Sequence, residues 1–284
     1  MNELSDDQRR MAEILRGLRV DAGLSTTELA KRLGWSQSKV SKTERGITLP
    51  PPSDVEAWAV ATAASAELRA QLSALADRST FEFIERRRVL APGPRRVQQE
   101  IQRLEEAASV VRVFNHSVVI GLAQTRAYVE AMFRLGGSIP EERLDDAVEA
   151  RLARQATLAD PSKRFEFVMG EAALRRRLIR PAAMRTQLER LIEMSRRSNI
   201  YLGVIRFDAD ERVHQHHGYS VIGDPDLEDA AIAGTSTVTR TLRIRADDEI
   251  REYIEHFNAL RAAATEGEPL RAFLHELIDE LPKD

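Results

Sequence analysis

The segment from Ser25 to Pro51, STTELAKRLGWSQSKVSKTERGITLPP, constrains the fold more than any other part of the chain. Ser25 and Glu28 have the spacing of a capping box, in which each side chain accepts a hydrogen bond from a free backbone N–H at a helix start. Gly34 predicts the end of this helix, because glycine adopts the left-handed conformation without a Cβ penalty. Ser36 can cap a second helix, which the following prolines prevent from continuing. The segment therefore predicts two short helices joined by a sharp turn.

The spacing of small and apolar residues in this segment is typical of a helix-turn-helix. Ala30 is small where two helices would cross closely, and Val40 would point back into a core. Such a turn projects the second helix away from the domain, as reading the DNA major groove requires. The alternative is an ordinary helical hairpin.

The flanking residues predict the rest of a helical domain. The apolar residues of 11–22 follow a helical stripe, and Ser53 and Glu56 have the spacing of a second capping box. Another helix is expected to start near Ser65. Residues 1–76 are therefore predicted to form an all-α bundle of five helices.

The stretch LAKRLGWSQSKVSKTERG, within 8–75, resembles the Xre-type, phage-repressor-like helix-turn-helix domains. The resemblance implies base-edge contacts from Gln37, Ser38 and Lys42. It implies contacts to the DNA backbone from Thr26, Ser36, Lys39 and Arg45. Chemistry agrees, because a Gln amide can pair with adenine and a Lys ammonium can donate to guanine. For each residue taken alone, a solvated helix face is the alternative.

The same resemblance implies a structural ion pair between Arg19 and Glu44. These positions match the first helix and the end of the second helix of the motif. A planar guanidinium can hold a carboxylate with two hydrogen bonds. The pair is therefore expected to be partly or fully buried.

The remainder of the chain resembles a second family, the actinobacterial WhiJ-type regulators, in which an Xre domain precedes a large antitoxin-like domain. The resemblance rests on GLAQTRAYVEAM, ARLARQATL, EAALRRRL, MRTQLERLIEMSRRSNIYLGVIRF and HGYSVI. The sequence departs from the family at 119–123 and 230–234. The resemblance implies a DNA-binding regulator that is controlled through a small protein partner encoded by a neighbouring gene.

Charge is unevenly distributed along the 284 residues, whose formal net charge is −3. Residues 9–47 carry nine Lys and Arg against four acidic residues, whereas 207–284 carry 18 acidic residues against eight basic ones. Phosphates respond to local charge, so the basic N-terminal part suits DNA. The chain has no cysteine and no apolar run of 18 residues, which favours a cytoplasmic protein without a membrane span or a Cys-based zinc site.

Residues 77–96 are predicted to be a helical and Pro/Gly-rich linker. Arg86, Arg87 and Arg88 precede the sequence Ala-Pro-Gly-Pro of 91–94, which breaks a helix. These arginines could contact phosphates beside the main site, or they could be a solvated helix end.

Residues 97–284 are predicted to form a larger mixed α+β domain for dimerisation, regulation and partner binding. Strands are expected at 110–114, 165–168, 200–207, 219–222, 230–233 and 238–244. Helices are expected at 97–108, 124–135, 138–159, 171–179, 181–198, 247–264 and 268–281. Helices and strands do not alternate strictly, so the whole chain is expected to be α+β rather than α/β.

A search of the sequence for catalytic chemistry finds one candidate constellation. His214, His216 and His217 lie near two aspartates, and two His separated by one residue can share a strand face. The stretch is more simply a polar loop between strands. The sequence therefore predicts no enzyme, catalytic residue, metal or cofactor.

Three functions remain open from the sequence. The first is a homodimeric regulator that binds inverted repeats in double-stranded DNA and holds a small protein partner. The second is a one-component regulator whose second domain binds a small-molecule ligand. The third is an enzyme tethered to a DNA-binding domain. A large apolar cavity would favour the second function, and an exposed apolar groove or sheet edge would favour the first.

Overall fold

The computed structural model describes residues 6–47, 50–85, 92–137, 139–210, 214–227 and 229–282. Within them, an all-α N-terminal part is followed by a mixed α+β part, which confirms the predicted fold class. Arg86, Arg87, Arg88 and the helix-opening Ser138 lie outside the described residues.

The N-terminal part contains five helices, as the capping signals predict. Their bounds are α1 Asp6–Asp21, α2 Thr26–Leu33, α3 Gln37–Glu44, α4 Pro52–Ala61 and α5 Ala66–Thr80. The predicted capping box of α4 is wrong. This helix begins one residue before Ser53, with Pro51 at its N-cap and no side-chain cap. Proline at the first position supplies the helical φ and has no N–H to satisfy, so α4 starts without the serine.

A core of apolar side chains holds the five helices together. Leu15, Leu29 and Val40 are fully buried in it, together with Trp58. The indole Nε1 of Trp58 donates a hydrogen bond to the backbone oxygen of Leu15 at 3.0 Å, so the only polar atom of that side chain is satisfied. Val40 therefore anchors α3 in the core of the bundle.

The second part is built on an eight-stranded sheet among the described residues. The strands are β1 Phe81–Glu85, β2 Val110–Asn115, β3 Arg164–Gly170, β4 Ile200–Ile205, β5 Tyr219–Ile222, β6 Ile232–Ser236, β7 Arg240–Ile244 and β8 Thr265–Glu266. Their order is β1-β7-β6-β5-β2-β3-β4-β8. Only the pairs β2–β3 and β3–β4 are parallel; the other pairs are antiparallel.

Strand β1 lies within residues 77–96, where the sequence predicts a helical and Pro/Gly-rich linker and no strand. Phe81–Glu85 pairs antiparallel with β7 from Phe81 opposite Ile244 to Glu85 opposite Arg240. The run Phe-Glu-Phe-Ile-Glu is rich in aromatic and β-branched residues, which favour strands. The sheet of the second part therefore begins immediately after α5.

The helices of the second part cover both faces of the sheet. They are α6 Pro94–Ala107, α7 Arg126–Gly136, α8 Leu144–Arg154, α9 Ala172–Arg175, α10 Pro181–Met194, α11 Asp247–Ala262 and α12 Gly267–Asp279. Ile250, Phe257 and Leu260 of α11 pack with Phe114 and Val221 on one face. The other face packs in a larger core with residues of α10 and α12 and of the segment 119–128.

A buried ionic network crosses the centre of the sheet. Glu166 accepts hydrogen bonds from Arg112 Nε at 2.9 Å and from Arg261 Nη1 at 3.0 Å. Arg112 Nη2 also donates to Asp224 at 2.9 Å. Arg112, Glu166 and Asp224 are buried, so the charge of each depends on its partners.

Candidate nucleic-acid interface and cavity

Capping residues define the start and end of α2 and the start of α3. The Ser25 hydroxyl accepts a hydrogen bond from the Glu28 N–H at 3.2 Å, and the Glu28 carboxylate accepts one from the Ser25 N–H at 2.7 Å. Gly34 has φ 70°, the left-handed conformation that ends α2. Ser36 then caps α3 by accepting from the Lys39 N–H at 3.1 Å. The turn therefore has the geometry that its sequence predicts.

An ion pair ties the end of α3 to α1. Arg19 Nε donates to Glu44 Oε1, and Arg19 Nη2 donates to Glu44 Oε2 at 3.0 Å. Arg19 Nη1 donates to the backbone oxygen of Leu24 at 2.6 Å. The hydrogen bond with Glu44 raises the pKa of Arg19, against the opposing effect of burial. The structure thus brings together the two residues that the sequence pairs, and the pair ties the C-terminal end of α3 to α1.

The N-termini of α2 and α3 meet at the outer surface. Gln37 Nε2 donates to Thr26 Oγ1 at 3.1 Å, which joins the first residues of the two helices. Gln37 and Ser36 are exposed, and Ser38 is half-buried. Free N–H groups at helix starts favour phosphate oxygens. One surface therefore carries the residues predicted to contact DNA base edges next to those predicted to contact the DNA backbone.

The basic candidates of α3 differ in their surroundings. Lys39 Nζ lies 2.7 Å from Asp54 Oδ2 and 4.1 Å from the centre of the Trp35 ring. Lys42 is half-buried, and Arg45 is exposed, with its Nε donating to the backbone oxygen of Ser41 at 3.2 Å. The ammonium of Lys39 is therefore engaged within the domain, and a phosphate would compete with Asp54 for it.

The second part contains a cavity of about 790 Å³ between the sheet and α6, α7 and α8. Its floor includes Val111 and Val113 of β2 and Ile232 of β6, while Ile101 and Met132 contribute to the helical wall. Pockets that bury small organic molecules have volumes of about 300–1,000 Å³. The cavity is therefore large enough for a small organic ligand.

Polar groups of the cavity wall cluster on α8. Arg154 donates to Glu105 Oε1 at 2.5 Å and to Gln98 Oε1 at 2.6 Å. Arg151 Nη1 donates to Gln124 Oε1 at 3.3 Å, and its guanidinium lies 4.3 Å from the centre of the Phe133 ring. Burial and the neighbouring Arg154 lower the pKa of Arg151 to about 10, so this group stays charged at neutral pH.

The second part matches the profile of a known protein family. The profile of the family described as Domain of unknown function (DUF5753) matches residues 98–276, more than half of the chain. The chain belongs to this family. A profile described as Helix-turn-helix domain matches residues 10–72, which places α2 and α3 inside a domain type that supports a DNA-binding regulator. A search of curated proteins gave no match.

Two solved structures show weak likenesses to this DUF5753 protein. NucT from Helicobacter pylori has a TM-score of 0.36 and 7% sequence identity, covering 66% of this chain and 98% of its own. TrmBL2, described as an archaeal chromatin protein with a novel mode of DNA binding, has a TM-score of 0.32 and 12% identity, covering 93% of this chain and 100% of its own. Scores this low carry no functional inference.

The histidine segment of the DUF5753 domain lies before β5. His214 and His216 are exposed, and His256 of α11 contacts both Tyr219 (Nδ1 to the hydroxyl, 2.8 Å) and the backbone oxygen of His214 (Nε2, 3.0 Å). His217 is half-buried, and burial lowers its pKa. In the described part of the chain, no group of three or more His, Cys, Asp or Glu side chains could hold a metal ion.

Sequence reasoning missed the cavity of the DUF5753 domain and Arg151. The wall is assembled from residues far apart in the chain, such as Val97, Val113 and Ile232. No local spacing reveals such an arrangement. No helix within the described residues is long and apolar enough to cross a bilayer.

Proposed function

We propose that this DUF5753 protein is a sequence-specific transcription regulator that reads double-stranded DNA with α3. The observation that carries the proposal is the exposed Gln37 at the first position of α3, held by Thr26 on a helix whose other end is fixed by Arg19 and Glu44. A recognition helix needs both an exposed polar N-terminus and a rigid attachment to its domain.

The proposed DNA contacts are of two kinds, contacts to base edges and contacts to phosphates. Base edges would be contacted by Gln37, Ser38 and Lys42. Phosphates would be contacted by Thr26, Ser36, Lys39 and Arg45. Phosphate contacts position the protein on the duplex, whereas base contacts carry the sequence preference. The more specific kinship with the Xre and WhiJ-type regulators, the cytoplasmic location on nucleoid DNA and the lack of catalytic activity are part of this proposal.

We also propose a homodimer that binds an inverted repeat. A single helix-turn-helix buries little DNA surface, and two-fold symmetric proteins bind half-sites about one helical turn apart. Light scattering of the full chain, with and without DNA, measures this directly. A monomer under both conditions at micromolar concentration would refute it.

Two kinds of molecule are candidates for controlling this regulator, a small protein partner and a small-molecule ligand. The family resemblance favours an antitoxin-like role with a small protein partner. The cavity of about 790 Å³ favours a small-molecule ligand instead, because its volume suits a small organic molecule and not a folded protein. Co-purification with mass spectrometry tests the protein partner.

Two variants test the proposed DNA contacts, and they should change DNA binding in different ways. Preferred duplexes are first selected from a randomised library with the full chain, and binding is then measured at several salt concentrations. Gln37→Ala should weaken the selected duplex by about 1–3 kcal/mol and relax the preference at one base pair. Lys39→Ala should weaken all duplexes alike and lower the salt slope by about one unit, if Lys39 exchanges Asp54 for a phosphate on DNA.

Gln71→Ala is the matched control, because Gln71 is an exposed glutamine on α5 of the same domain. It should leave affinity and preference unchanged. An unaltered base preference in Gln37→Ala, or a selection that enriches no sequence, would refute the proposed reading helix.

A further inference from the structure

The cavity of the DUF5753 domain combines an apolar interior with a cluster of charged side chains in its helical wall. Val111, Val113, Ile222 and Ile232 line its sheet side. The charged site is formed by Arg151 and Arg154, which lie three residues apart on α8 and therefore on one helical face. A molecule that fills this space must match both features.

The charged site has more positive than negative groups. The carboxylate of Glu105 is held by Arg154 through two hydrogen bonds, from Nη2 at 2.5 Å and from Nε at 3.2 Å. Arg151 has no carboxylate partner among the described residues, and its Nε is buried without a hydrogen-bond acceptor there. Two guanidinium groups and one carboxylate leave a single positive charge at the cavity wall.

The other arginines of the wall do not share this imbalance. Arg243 lies 3.1 Å from a carboxylate oxygen of Glu100. Arg176 is exposed, so water can solvate its charge. Arg151 is half-buried, with its Nε buried, and among these arginines its charge is the least satisfied by the protein itself.

We propose that the cavity binds a small amphipathic carboxylate, with the carboxylate at Arg151 and the apolar part against the sheet. A monoanion matches the single excess charge, whereas a phosphate dianion would bring a second negative charge into an apolar space. A guanidinium also donates in a planar fork that suits the two oxygens of a carboxylate. This inference goes beyond DNA reading and does not depend on it.

The test measures binding of three eight-carbon probes to the full chain by calorimetry without DNA. The probes are octanoate, 1-octanol and octylamine, which share an alkyl chain and differ in the head group. Octanoate should bind with one site per chain and about tenfold or more tighter than 1-octanol, the difference expected for a charge-assisted hydrogen bond. Octylamine should bind more weakly than both.

Two variants locate the site. Arg151→Met keeps an unbranched side chain but removes the charge, and should lower the affinity for octanoate to that for 1-octanol. Arg177→Met, at an exposed arginine outside the cavity wall, is the matched control and should change nothing. Gly234 lines the cavity, and a Cβ there would meet its nearest atom at 3.6 Å. Gly234→Leu should therefore fill the space and weaken both octanoate and 1-octanol.

Each possible outcome decides the proposal. Equal affinities of octanoate and 1-octanol for the unmodified chain would overturn it without reference to any variant. A preference for octanoate that persists in Arg151→Met, or binding that persists in Gly234→Leu, would also overturn it. Loss of the preference in Arg151→Met but not in Arg177→Met would support it. DNA binding is not part of these measurements, so a failure here leaves the proposed reading helix untouched.

Discussion

Removal of the Glu44 carboxylate should destabilise the N-terminal domain far more than removal of an exposed glutamate. The side chains of Arg19 and Glu44 are only 12% and 8% exposed. Glu44→Ala would leave the Arg19 guanidinium desolvated with one remaining acceptor, the backbone oxygen of Leu24. Breaking a buried ion pair from one side costs about 3–5 kcal/mol. Because the Leu24 contact persists, we expect a loss near the lower end, about 3 kcal/mol.

Urea unfolding followed by tryptophan fluorescence measures this loss selectively. The chain has two tryptophans, Trp35 and Trp58, and both lie in the helical N-terminal part. With a slope of about 1 kcal/mol per molar urea for a small domain, the midpoint should fall by about 3 M.

The exposed pair of Arg69 and Glu56 provides the control. Its side chains are 43% and 47% exposed, and it lies in the same domain. Glu56→Ala should change the urea midpoint little, because water screens an exposed ion pair and solvates Arg69 when the carboxylate is removed. If Glu44→Ala shifts the midpoint no more than Glu56→Ala does, the argument from desolvation is refuted.

Three further perturbations follow from contacts in both parts of the chain. Ser36→Ala should cost about 1 kcal/mol in urea unfolding through loss of the α3 cap, whereas Ser53→Ala should cost almost nothing because Ser53 does not cap α4. Glu166→Gln should lower the stability of the DUF5753 domain by about 3 kcal/mol, measured by near-ultraviolet circular dichroism, because the buried Arg112 loses a partner carboxylate that is 4% exposed, as do the more exposed Arg164 and Arg261. Burial raises the pKa of Tyr201 from 10.0 to about 12 and raises the pKa of the other three tyrosines. Since the folded state favours the neutral phenol, this contribution to stability is full below pH 10.0 and is lost as the pH approaches 12. Absorbance titration at alkaline pH should therefore show phenolate forming only above the normal range, and ionisation at the normal value in folded protein would contradict it.

Local chemistry explains why the helix-turn-helix could be predicted in detail. Ser25, Gly34 and Ser36 each act on the backbone within three or four residues, so their spacing alone fixes where α2 ends and α3 begins. β5 was predicted with its observed bounds, Tyr219–Ile222, because glycines flank a short run of β-forming residues on both sides.

Long-range packing explains the errors. Phe81–Glu85 becomes a strand only because β7, far away in sequence, offers its edge. The predicted strand at 230–233 begins two residues later, at Ile232, where pairing with Ile222 of β5 starts. The predicted helix at 171–179 shortens to Ala172–Arg175, a single turn. The charge imbalance at Arg151 likewise depends on which side chains meet in space.

The pairing of β1 with β7 affects how the two parts of this chain can be exchanged or separated. The matched DUF5753 region starts at residue 98, after β1. A fragment or chimera cut at that point would leave Arg240–Ile244 as a free sheet edge, open to pairing with a second chain. We therefore expect a fragment that keeps the sheet complete to begin at Phe81, which directly follows the last residue of α5, Thr80.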